Sequence, residues 1–123
     1  MITKKHIEDF LNEFKSGYKE NVEAGTQGGG GALERNLGEK ISNLTLDNQK
    51  EFAKDVLLVE KWKEINGELP KGFSALGKAA GLGIKEVMAD YALAKQEGKG
   101  AFISEETMKE IDDMKNKMAK YLK

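Results

Sequence analysis

The chain has 123 residues, a formal net charge of −1, 39% hydrophobic and 33% charged residues, one proline and no cysteine. These numbers exclude disulfides, thiol catalysis and thiolate metal sites, and they lack the basic excess of a non-specific nucleic-acid binder. Arg35 is the only arginine among twenty basic residues, which counts against a large DNA interface, where arginine makes the bidentate contacts.

This length implies one domain over residues 1–123, with a core drawn from narrow apolar stripes on charged helices. No apolar stretch approaches the roughly 18–20 residues that span a membrane, and the first residues lead into a charged helix rather than a secretory leader. The expected location is cytoplasmic. The lysine bias suits a bacterial or phage protein.

Helix-period spacing predicts a first helix from Lys4 to about Ala24, with Thr3 as N-cap and Ile7, Phe10, Leu11, Phe14, Tyr18 and Val22 on one face. His6, the only histidine, falls in its first turn and reads as a surface residue. No histidine triad or multi-histidine metal site can be built from it.

A glycine-rich loop over 25–31 follows, read as a flexible hinge. A short helix from Ala32 to Asn43 carries Leu33, Leu37 and Ile41, with Leu44 closing the stripe. The next helix is expected over Asn48–Asn66, capped by Asp47 and Gly67. Its main stripe is Phe52, Val56, Val59 and Ile65, widened by Leu57, Leu58 and Trp62. So broad an apolar face suggests a central helix.

Pro70 then ends a turn. Residues Phe73–Gln96 are helical in two pieces or one kinked piece, with the break at Gly81–Gly83. Gly72-x4-Gly77-Lys78 has the spacing of a phosphate-binding loop. Ala79 stands where a magnesium-binding hydroxyl is needed, and no strand precedes it. The last helix is expected over Glu105–Leu122, capped by Ser104, with Ile103 and Met108 as a hydrophobic staple. The Asp112-Asp113 pair reads as a solvated face, since adjacent helical residues do not face each other. No strand periodicity occurs. The expected fold is all-α: a compact bundle of about five or six helices, with a helix-turn-helix-shaped element near residues 73–92.

Leu76-Gly-Lys-Ala-Ala-Gly-Leu-Gly-Ile-Lys-Glu-Val-Met-Ala-Asp-Tyr91 resembles the reading head of tetracycline-repressor-like and lactose-repressor-like proteins. The resemblance implies Leu76 and Ala80 pointing inward, Gly77 at a helix contact, Gly81 in the turn and Val87 anchoring the second helix. Asp90 falls where that pattern has an apolar residue. The DNA reading expects Lys78, Lys85, Lys95 and Lys99 along one exposed face of a dimer. A second reading of the glycines is close helix packing through Gly77-x3-Gly81 and Ala75-x3-Ala79-x3-Gly83.

No convergent polar set suggests an enzyme, and nothing implies a cofactor or a metal. The favoured reading is a small non-enzymatic protein-binding module, an adaptor, inhibitor or assembly factor acting through a helical face. Its partner is another protein or a second copy, with no membrane partner; nucleic acid belongs to the helix-turn-helix alternative. The expected contact residues are Leu58, Trp62, Phe73, Leu76, Gly77 and Gly81.

Overall fold

A computed structural model describes the backbone of residues 1–23, 31–98, 100 and 102–122. Side chains are described for 1–17, 37–79, 81–98, 100 and 102–122. The described residues form α1 (Lys4–Glu23), α2 (Gly31–Ser42), α3 (Leu46–Asn66), α4 (Lys71–Ala80), α5 (Ile84–Glu97) and α6 (Glu105–Met118), closed by a 3₁₀ turn over Ala119–Tyr121. There is no strand among them, and none of these helices is long and apolar enough to cross a membrane. The fold is an all-α bundle. Most of the loop expected at 25–31 lies outside the described residues.

The core is built on the pair α3 and α5. The helices α1 and α2 pack on each other and on this pair, α1 against α3 and α2 against α5. On the other side α4 packs against α5, α6 against α3, and α4 and α6 against each other. Phe52, Val56 and Val59 of α3 meet Val87, Met88 and Tyr91 of α5 in one buried cluster, to which Leu37 and Ile41 of α2 and Ile111 of α6 also belong. The edges of the Phe10 and Phe14 rings from α1 lie against Phe52, at centroid distances of 5.9 and 5.2 Å. The inward stripe of α3 runs on from Val59 to Trp62, which packs against the core. Ile65, expected in that stripe, is 50% exposed instead. Ile65 falls nearly in line with the buried Leu58 two turns back, but residues 63–68 are all exposed, so the last turn of α3 runs past the elements that cover the rest of the helix.

Local polar chemistry fixes the helix ends. The Thr3 hydroxyl accepts from the His6 N–H, while the Thr3 N–H donates to His6 Nδ1. His6 thus occupies the place that Glu or Gln takes in a capping box. The cap of α3 is Thr45, whose hydroxyl accepts from the Asn48 N–H, rather than the expected Asp47. Asp47 sits in the first turn, where its charge suits the helix dipole. Gln49, nearly buried, sends its amide back to the carbonyls of Ser42 and Leu44, satisfying the end of α2. Pro70 supplies no side-chain cap to α4. Glu110 of α6 reaches the Gly72 N–H from across the bundle instead.

Candidate functional site

The residues singled out in the sequence separate into three environments. The first is the segment between α4 and α5. Gly81 ends α4 with φ of 68°, and its N–H returns to the Gly77 carbonyl. A side chain at that φ would be strained. A Cβ at Gly77 would stand 3.1 Å from the Leu82 carbonyl, so the close contact here is with the turn and not with another helix. Ala75 and Ala79 are exposed, as is Gly83, so that ladder of small residues faces solvent and makes no tight crossing.

Two helices joined by Gly81–Gly83 give the expected outline, but α5 is enclosed. Val87 through Leu93 are seven consecutive buried residues, which leaves only the ends of α5 accessible. Lys85 places its ammonium 5.6 Å from the Phe10 ring of α1. Lys95 pairs with Asp112 of α6 at 2.9 Å. These two lysines therefore meet different helices, α1 and α6. Lys78 is exposed in the last turn of α4, and Lys99 lies outside the described residues.

Asp90, 1% exposed, explains its own departure from the repressor-like pattern. Its Oδ2 accepts the N–H groups of both Phe102 and Ile103 at 2.8 Å. A carboxylate here ties the entry of α6 to the centre of α5, which an apolar residue cannot do.

The second environment is a polar seam joining α3, α5 and α6. Lys115 bridges Asp55 at 3.1 Å and the Tyr91 hydroxyl at 3.1 Å. The Tyr91 hydroxyl donates to Asp112, which also holds Lys95. Asp112 is thus committed to this seam rather than free on a solvated face. Burial pushes the Asp55 carboxyl above the usual carboxylate range, against the pull of Lys115. Burial and then the hydrogen bond to Asp112 push the Tyr91 phenol well above its ordinary value. Burial acts upward on Asp112 too, but the Tyr91 hydrogen bond and the Lys95 and Lys115 charges outweigh it and lower that carboxyl.

The two carboxylates must therefore respond to pH with opposite sign. Asp55 binds its proton more tightly in the folded chain, so its contribution to stability is greatest at low pH and declines as pH rises through its folded value. Asp112 binds its proton less tightly, so its contribution is present at neutral pH and is lost as pH falls through its folded value. Melting of Asp55→Asn and Asp112→Asn beside the parent from about pH 3 to 8 is expected to give difference curves of opposite slope. Parallel slopes would contradict the seam.

The third environment is the junction of α3 with the end of α6. Leu58 and Phe73, expected on a contact face, are 1% and 2% exposed and belong to the core beneath. Leu76 and Gly77 are half-buried, and Gly81 is exposed in the turn. Of the expected contact residues, Trp62 alone lies at the α3–α6 junction. It is half-buried, with the Lys117 ammonium 5.9 Å from its ring. One turn on is the half-exposed Ile65. Alongside, Tyr121 has Lys61 and Lys120 at 5.6 and 5.5 Å from its ring centre. The result is an apolar and aromatic strip bordered by lysines.

No family model, curated protein or solved structure matches the chain. Function must be argued from this geometry alone. Sequence reasoning missed Lys117 as a neighbour of Trp62, and Lys61 of α3 as a neighbour of Tyr121. The one local signal was the i,i+4 spacing of Lys117 and Tyr121, which places both on the same side of the terminal helix. That this side meets α3 depends on tertiary packing.

An open cleft of about 310 Å³ also lies between α1, α3 and the start of α5. Phe10 and Leu57 line it, with the acids Asp9, Glu13 and Glu60 around them. Lys85 forms one wall of this cleft, with its ammonium 5.6 Å from the centre of the Phe10 ring.

Proposed function

We propose that this chain is a non-enzymatic, cytoplasmic protein-binding module, an adaptor, inhibitor or assembly factor that presents the C-terminal turns of α3 to a partner. One observation carries the reading. Ile65 is 50% exposed, one helical turn from the half-buried Trp62, on a helix whose other large apolar residues are drawn inward or half-covered, Leu46 apart. An exposed aliphatic beside a rigid aromatic is the arrangement from which interface hot spots are built, because both lose water together when a partner covers them.

The absence of cysteine allows a clean test. Glu8→Cys on the exposed side of α1 gives a single attachment point remote in sequence from α3. Protein immobilised there is used for capture from its own cells, with and without nuclease, in parent and Ile65→Glu forms. The expected result is one stoichiometric protein that survives nuclease and is lost with Ile65→Glu, whose melting temperature stays near the parent's because the position is exposed. Retention of the partner by Ile65→Glu would move the interface elsewhere. A heterogeneous, nuclease-sensitive set would shift the reading to nucleic acid.

A further inference from the structure

We infer that the partner segment is an acidic amphipathic helix, an apolar ridge flanked by carboxylates; this rests on the protein-binding reading above. The argument comes from the charges at the edge of the strip. Lys61, Lys117 and Lys120 each place an ammonium 5.5–5.9 Å from the ring centre of Trp62 or Tyr121. Among the described residues, Lys117 and Lys120 have no carboxylate within ion-pair distance. Lys61 has Glu64 at 4.0 Å, but that carboxylate is 73% exposed and barely engaged.

A lysine lying over an aromatic ring packs part of its stem along apolar surface, which narrows where its ammonium can go. The side-chain entropy normally lost when a lysine meets a carboxylate is therefore partly lost already. Three such ammonium groups border a strip whose centre, Trp62 and Ile65, is apolar. A complementary partner buries an apolar ridge on that centre and brings carboxylates to the lysines. Acidic flanks add specificity and association rate more than raw affinity, and they make binding fall with salt. A helix is the element that supplies a ridge with charged flanks at fixed spacing.

Trp62 is the only tryptophan in the chain, so its fluorescence reports this face alone. Three probes are titrated into the full chain: a stapled helical peptide with a leucine ridge and glutamate flanks, the same peptide with lysine flanks, and oligo(dT). The glutamate peptide is expected to shift Trp62 emission to the blue and saturate, and to weaken several-fold as salt is raised. It is expected to outcompete the lysine peptide by roughly tenfold. The paired change Lys117→Glu and Lys120→Glu, both at exposed positions, is expected to reverse that preference while leaving the fold intact by circular dichroism.

Equal response to both peptides, preference for the lysine peptide, a response to oligo(dT) alone, or no response at all would each overturn the inference. The capture experiment separates the two levels. A partner lost with Ile65→Glu but docking through a basic or uncharged segment defeats the acidic-helix inference and leaves the module reading standing. A partner indifferent to Ile65→Glu defeats both.

Discussion

Asp90→Ala is expected to remove about 3–5 kcal/mol of stability, a large share of the roughly 5–15 kcal/mol that a domain of this kind possesses. Asp90 is 1% exposed, and one of its oxygens holds the N–H groups of Phe102 and Ile103. Hydrogen bonds to a charged group contribute about 1.5–3 kcal/mol each, and truncation leaves donors at the entry of α6 without an acceptor. Asp90→Asn keeps one acceptor oxygen in nearly the same shape and is expected to lose about half as much. Equilibrium urea unfolding at constant m-value measures both. A loss below about 1 kcal/mol for the alanine variant would mean that water takes over the two amides, and that the carboxylate does not organise the α5–α6 connection.

Phe52→Ala is expected to cost a similar amount, about 3–5 kcal/mol, for a different physical reason. The Phe52 side chain is fully buried. It meets the α1 rings of Phe10 and Phe14 in T-shaped contacts, so its removal opens a cavity and takes away the ring against which both pack. Phe52→Leu fills most of that space and is expected to cost less than half as much. Because these rings join α1 to α3, hydrogen exchange in α1 should accelerate more than exchange in α6. Uniform acceleration would show that α1 does not open separately from the rest of the bundle.

Much of the architecture follows from local rules. Helix period placed the stripe of α6 and the described parts of those of α1 and α2, Tyr18, Val22 and Leu33 lying outside the described side chains, and Gly67 and Gly81 marked real helix ends, because capping and periodicity depend on neighbouring residues only. Thr45 was missed as a cap because Asp47 is an equally good candidate, and the choice depends on where α2 stops. Ile65 was misplaced because α3 looks apolar over most of its circumference, so its last inward position could not be chosen from spacing alone. The enclosure of α5 was hidden by Asp90, whose charge suggests exposure until the amides it binds are seen.

The candidate surface was legible only at Trp62. Leu58 and Phe73 have the right chemistry but face inward, which periodicity cannot decide for a helix touched on several sides. Lys117 reaches Trp62, and Tyr121 reaches Lys61, from more than fifty residues away in sequence. Nothing local predicts that meeting. It exists because α6 packs on α3, which depends on the whole bundle.

The two extremities of the described chain meet. Ile2, nearly buried, donates its N–H to the Tyr121 carbonyl at 2.6 Å and pairs in parallel with Leu122. Residues 2 and 121–122 are thus held together, and their junction includes Tyr121 of the aromatic strip. On the protein-binding proposal, a segment joined before Ile2 or after Leu122 starts near Tyr121 and competes for the proposed surface. Terminal tags can silence this surface without unfolding the protein. Joining the ends through a short linker and opening the chain elsewhere should leave the strip clear.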